Sequence, residues 1–268
     1  MSAMQPVMFL AHGAPTAAVE IDAWANALSA YGAERLAAQR PRAILVVSAH
    51  WRARGAQGIT GEAHPETIHD FSGFPEALYQ LHYPCPGEPA LARDIAARLK
   101  WHGWTVKQVE HRGLDHGVWV PLMHLRPQAD IPVVQLSLPV ENPSRLVELG
   151  IGLRTLREDD VMIVGSGGIV HNLGMLHFES RDWPVDAWAE QFDSAVARSV
   201  HSHELDVLTH YRDRLPGAGL SVPTTEHFDP LLVALGAVMP EDVCQDLFVG
   251  FHYGNLSMRS FTWEVPSV

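Results

Sequence analysis

The stretch PRAILVVSAHW, residues 41–51, decides the fold. Five apolar residues in succession, 43–47, run without a polar break into Ser48, Ala49 and His50. A strand that is apolar at every position is buried on both faces, which places it inside a largely parallel sheet covered by helices. Such sheets bind their ligands beyond the carboxyl ends of the strands, and His50 stands at that end. The pattern recurs where residues 6–10 lead into Ala11, His12 and Gly13, and where residues 161–164 lead through Gly165 and Ser166 to His171. A single histidine has many structural uses, because imidazole both donates and accepts hydrogen bonds. Three of them delivered to one rim, with Gly13, Gly167 and Gly168 beside them to let the backbone turn, read as a metal site.

Outward from this strand the chain alternates strand and helix. Residues 23–39 space Trp24, Leu28, Tyr31 and Leu36 along one helical face, despite an interior glycine, Gly32, that costs about 1 kcal/mol relative to alanine. Residues 87–100 carry Leu91, Ile95 and Leu99 at helical spacing, 104–109 and 131–138 read as strands, and Asn142 followed by Pro143 starts a helix over 143–156. A long helix is predicted over 183–203, where His201 and His203 read as solvated surface. Closing strands are predicted at 244–250 and 257–265, with a turn at Tyr253-Gly254-Asn255 and no evident chemistry. The alternation predicts an α/β fold: a single domain over 1–268 with a central, largely parallel or mixed sheet flanked by helices.

The bulk properties narrow the function. A net charge of -12, with Lys and Arg scattered singly, argues against nucleic acid or an anionic membrane as partner and favours a small molecule. Cys85 and Cys244 are far apart and lack CxxC spacing, so neither a disulfide framework nor a thiolate metal site is indicated. The opening MSAMQPVMFLAHG has no basic region and turns polar too soon for a signal peptide, and no run of about 18 apolar residues follows, so a cytoplasmic protein is expected.

Several further segments bear on the site. Residues 58–83, rich in His, Pro and aromatics but without a period, predict an ordered loop with one short helix at 75–81 that walls a pocket. His64, His69 and His82 there fit neither a helix face nor a strand, and pocket lining is the expectation for His69 and Phe71. His116, between Asp115 and Gly117, can hold a fixed tautomer and move a proton; equally, Asp115 can be the N-cap of a helix running into residues 118–125. Thr224 or Thr225 can cap a helix with Glu226 and His227 in its first turn, where either side chain can reach a metal. The run GSGGIV at 165–170 begins like a dinucleotide fingerprint but has Val170 where the third glycine belongs, so no nucleotide cofactor is expected.

Six motifs in order, AHGAP (11–15), SAHW (48–51), IHDFSGFP (68–75), LDHG (114–117), GSGGIVHNL (165–173) and TEHFDPLL (225–232), resemble the LigB-type extradiol ring-cleavage dioxygenases, and within them the DOPA dioxygenase branch. The resemblance implies a single α/β domain that opens a catechol ring such as that of DOPA next to its hydroxyls, using dioxygen and one divalent metal. It implies His12, His50 and His227 as metal ligands, His116 as an acid/base or substrate-contacting group, and His171 as a fourth ligand or the catalytic base. The wider superfamily completes its iron site with a carboxylate; here His227 occupies that place and Glu226 is adjacent. An all-histidine set suits Zn(II) as well as Fe(II), but only iron has the redox chemistry that turnover demands. A zinc-dependent hydrolase and a non-catalytic LigB-like binding protein are the alternatives such a site allows.

Overall fold

The stretch quoted above forms the inside of an eight-stranded sheet in the computed structural model, which describes residues 4–266. The strands of that sheet are β1 (Val7–Ala11), β2 (Ala43–Ala53), β3 (Gln57–Thr60), β4 (Val106–Val109), β5 (Val133–Pro139), β6 (Val161–Gly167), β7 (Val243–Phe248) and, after a small hairpin of β8 (Phe251–His252) and β9 (Leu256–Ser257), β10 (Ser260–Glu264). Their order is β4-β3-β5-β2-β6-β1-β10-β7. The four inner strands β5, β2, β6 and β1 pair in parallel, whereas β3 on one side and β10 and β7 on the other join antiparallel, so the sheet is mixed.

Strand side chains alternate faces, and the buried residues divide accordingly. Met8, Leu10, Ile44, Val46, Met162 and Val164 pack with α1 (Ala23–Tyr31) and α3 (His116–Leu125). Val7, Phe9, Leu45, Val47 and Ile163 pack on the other face with α2 (Pro89–Trp101), α4 (Pro143–Leu153), α5 (Ala187–His201) and the helix Asp229–Ala237, here α6. Each such fully buried aliphatic side chain contributes about 1.5–3 kcal/mol, which is why β2, apolar from 43 to 47, takes the interior position. Among the described residues no helix is long and apolar enough to cross a membrane.

Three local departures matter for the site. β2 does not end at His50: it continues to Ala53, and its pairing with β5 jumps from Ser48 opposite Ser137 to Arg52 opposite Leu138. Residues 49–51 therefore leave the ladder, as in a bulge, and His50 is freed toward the rim. α6 starts at Asp229, later than the capping threonines suggested, because the N–H groups of Phe228 and Asp229 both donate to the Thr225 carbonyl at 2.9 Å. Glu226 and His227 thus sit in a turn ahead of the helix, and the Thr225 hydroxyl donates to the Asp229 carboxylate at 2.7 Å. α5 starts at Ala187, leaving residues 183–186 to the preceding segment, and His201 is held by Asp246 at 2.8 Å instead of being merely solvated.

Candidate metal centre

β1, β2 and β6 end side by side, and their register sets the site: Ala11 lies opposite Gly167, and Ser48 opposite Ser166. His12 follows β1 directly, and its N–H donates to the Gly167 carbonyl at 3.2 Å. The turn after it needs glycine, since Gly13 has φ +63°. The turn carrying His227 is drawn onto the end of β6, where Gly168 N–H donates to the His227 carbonyl at 2.8 Å. A Cβ at position 167 would meet that carbonyl at 2.0 Å, so only glycine admits this approach. The result is three imidazoles, His12, His50 and His227, whose ligand atoms lie within 4.8 Å of one another.

The surroundings suit this trio to a cation. His227 is 6 % exposed and neither of its ring nitrogens has a hydrogen-bond partner. Glu226 Oε1 is 3.5 Å from His227 Nδ1 and makes no hydrogen bond to it. A buried polar atom left unpaired costs about 1–3 kcal/mol, a cost that an ion accepting the lone pair removes. The His12 tautomer follows from its neighbour. Ser166 Oγ donates its one hydrogen to the Gly117 carbonyl and so accepts from His12 Nδ1 at 2.9 Å, leaving the lone pair on Nε2. That Nε2 is 3.0 Å from His50 Nε2. Two nitrogens bound to one tetrahedral zinc at 2.0–2.1 Å stand about 3.3 Å apart, so the spacing is close to that of a shared ion.

A second layer orients these rings. Asp70 Oδ1 accepts from both the backbone N–H and Nδ1 of His116 at 2.9 Å, while its Oδ2 faces His50 Nδ1 at 3.6 Å. One carboxylate thereby satisfies the start of α3 and holds the His116 ring to present Nε2, while it stands near His50 without a hydrogen bond to it. Asp115 stands at the N-cap position but does not cap; its buried carboxylate accepts from Ser48 Oγ at 2.7 Å and from Gln135 Nε2. Ser48 Oγ in turn accepts from the His50 N–H at 3.2 Å, which holds the strand irregularity in place. His50, Asp70 and His116 also bring ligand atoms together, but His116 Nδ1 is already spent on the carboxylate. His171 lies outside both groups of ligand atoms. It stacks face to face on His227, with centroids 3.4 Å apart and planes at 7°, and its N–H donates to the Ser221 carbonyl.

Burial, followed by the neighbouring histidines, holds His12 and His227 well below the ordinary imidazole range. Burial and then His116 bring His50 down to about 3, and burial brings His171 to about 4. All four are therefore neutral at pH 7, the form that ligates. In the metal-free protein this has a cost in acid. Unfolded imidazoles take up protons below about 6.5 while the folded ones stay neutral to about 4, so stability falls as pH drops through that window. Each group adds a slope of at most about 1.4 kcal/mol per pH unit. Melting temperatures of chelator-treated protein are expected to fall steadily from pH 7 to pH 4.5, and a flat profile would contradict the assignment of four buried neutral imidazoles.

A cavity of about 370 Å³ opens over His50, His116, His171 and His227. Phe71 of the 58–83 loop lines it as expected, joined by Phe74, whereas His69 does not: its Nε2 meets the Leu81 carbonyl at 3.0 Å and its ring packs on Trp119. Sequence reasoning passed over Asp70, although the motif IHDF contains it, and it passed over Tyr253 and Leu256, which line the cavity from the tail. A wider groove of about 500 Å³ at Tyr31, Arg35 and Glu264 contains no histidine.

Comparison with known proteins is consistent with this geometry. The family described as the catalytic LigB subunit of aromatic ring-opening dioxygenase matches residues 4–259. The chain is 40 % identical over 265 residues to a 4,5-DOPA dioxygenase extradiol of Escherichia coli K12, covering 97 % of this chain and 94 % of that one. It is 36 % identical over 265 residues to a protein of the same name from Beta vulgaris, covering 96 % of each. A crystal structure of an uncharacterized Escherichia coli K12 protein superposes with a TM-score of 0.80 at 33 % identity, covering 96 % of this chain and 99 % of that one.

Proposed function

Because the chain belongs to the LigB family of aromatic ring-opening dioxygenases, we propose that it opens a catechol ring next to the hydroxyls with molecular oxygen, at one divalent metal held by His12, His50 and His227. The observation that carries the reading is the buried His227 ring with both nitrogens unpartnered beside two other neutral imidazoles. A bound Fe(II) would supply the redox path between catecholate and dioxygen and the charge that lowers the phenolic pKa values, of which Zn(II) would supply only the second.

The protein's own groups then have distinct tasks. His171, uncharged and inside the cavity, takes a phenolic proton. His116 offers Nε2, since its Nδ1 hydrogen is committed to Asp70, and the carboxylate balances the imidazolium formed when Nε2 is protonated. It can return that proton as the ring opens. The apolar walls, Phe71, Phe74 and Leu176 among them, exclude water and hold the ring plane against the histidines, so that a bimolecular encounter becomes a positioned one. The partners are thus a small catechol and dioxygen, a class to which the names of the Escherichia coli and Beta vulgaris relatives lend support.

The test is to mix anaerobic, iron-loaded protein with a catechol and admit air. A yellow ring-opened product with oxygen uptake is expected. Ester hydrolysis without oxygen uptake would select the zinc hydrolase instead, and catechol binding without turnover would select a binding protein.

A further inference from the structure

Away from its histidines, the cavity presents few groups able to form a hydrogen bond. Phe71, Phe74, Leu173, Leu176, Phe178 and Leu256 make up much of its wall. The polar side chains among them are Thr16, Asp70 and Tyr253, and Asp70 Oδ1 already accepts from the backbone N–H and Nδ1 of His116. The Tyr253 hydroxyl is bonded to no described residue. In a site whose walls are largely apolar, a small number of placed polar groups fix the orientation of the ligand.

The backbone holds Tyr253 in a conformation that a bulky residue rarely adopts, with φ +53°. Such a conformation persists only where its surroundings over-determine it, and here they do. The Tyr253 N–H donates to the Arg181 carbonyl at 2.7 Å, and its carbonyl accepts from the His177 N–H at 3.1 Å. On one side, His252 Nε2 lies 3.0 Å from Asp22 Oδ2. On the other, Asn255 Nδ2 donates to the Met175 carbonyl at 2.6 Å and to the Asp186 carboxylate at 2.9 Å. Strain retained under this many ties, in a residue that lines the cavity, marks a side chain kept in place for a ligand.

A catechol whose two hydroxyls meet the histidines turns its ring substituent toward the remaining walls. We infer that Tyr253 is a specificity-determining residue, its hydroxyl donating a hydrogen bond to a carboxylate on that substituent. A phenol shares its oxygen lone pair with the ring and titrates near about 10, so it donates better than it accepts. That favours a carboxylate over an ammonium, and a hydrogen bond to an ionised acceptor is the stronger kind. The inference rests on the catechol-opening reading above and assigns the group that reads the side chain of the substrate.

Tyr253→Phe removes the hydroxyl but keeps the ring, and with it the packing against Phe178 at 5.9 Å between centroids. Titration calorimetry of the iron-loaded protein under nitrogen then compares 4-ethylcatechol, dopamine and 3,4-dihydroxyphenylpropionate, which share one ring and one ethylene spacer and differ in the end group. The propionate should bind the variant about tenfold more weakly, the low end of what a hydrogen bond to a charged group is worth. The other two should bind both proteins alike. In air, the loss for the propionate should appear in KM, with kcat kept. Undiminished binding of the propionate would overturn the inference, as would an equal loss for all three probes or a loss confined to dopamine. A loss for the propionate in Thr16→Val, with none in Tyr253→Phe, would give the role to Thr16 instead. Selective weakening of the propionate in Tyr253→Phe, without ring opening of any probe by either protein, would uphold the role of Tyr253 and strike the proposed reaction alone.

Discussion

His227→Ala is expected to lose most of its bound divalent metal and, with it, ring-opening activity. The same holds for His12→Ala and His50→Ala, since the three supply the ligand atoms brought together at the ends of β1 and β2 and in the turn before α6. Removing a group that merely orients a ligand typically lowers metal affinity about 10- to 100-fold, so removal of a ligand itself should exceed about 100-fold. Glu226→Ala is the control: its carboxylate accepts from the Thr224 hydroxyl at 2.6 Å and lies 3.7 Å from Arg52, and it stands outside the ligand group, so metal content should be retained. Metal analysis of dialysed variants decides the matter. Full metal content in His227→Ala, or its loss in Glu226→Ala, would mean that the third ligand has been wrongly placed.

His171→Ala should leave metal content nearly normal while kcat falls by roughly 10²- to 10⁴-fold, the usual worth of a positioned proton-transfer group. The geometry underlies this split: His171 lines the cavity and stacks on His227, yet its ring nitrogens are not among the clustered ligand atoms. Catechol should still bind to the variant. Loss of the base should also remove the acid limb of the kcat profile, whereas loss of a ligand would lower activity at every pH. His116→Ala should likewise spare the metal, because its ring is tied to Asp70. Metal released from His171→Ala on dialysis would make it a ligand, and unchanged turnover in the iron-loaded variant would exclude both roles.

The strands that carry the site were legible because full burial leaves a continuous apolar run, as at 6–10, 43–47 and 161–164, and because two of the three clustered histidines, His12 and His50, follow such runs closely in sequence. The path of the 58–83 loop was not legible. Asp70 meets His116 across 46 positions, through a segment without a period whose course is set by tertiary ties such as Ile68 N–H to the Leu114 carbonyl at 2.9 Å. The tail's turn at 253–255 was legible, but its part in the site was not: Tyr253 lies in that hairpin turn with φ 53° and reaches the cavity only because the hairpin folds back over residues 175–186. Asp115 misled in another way. It occupies the position of a capping acid, but burial beside Ser48 and Gln135 gave its side chain stronger partners than the backbone of its own helix, whose first N–H is taken by Asp70. The start of α6 shifted because two N–H groups closed on the Thr225 carbonyl, a turn that two adjacent threonines do not announce.

The central claim is that His12, His50 and His227 hold a metal at which dioxygen is inserted into a catechol. Ring opening of this kind adds both atoms of dioxygen to the substrate and releases neither. Mass spectrometry of the product formed by the iron-loaded protein from a catechol under isotopically labelled dioxygen tests that directly. The account predicts both labelled atoms in the product, in proportion to the oxygen consumed, and neither incorporation nor uptake in His227→Ala. Product without label, or product with a single oxygen atom drawn from water, would contradict it.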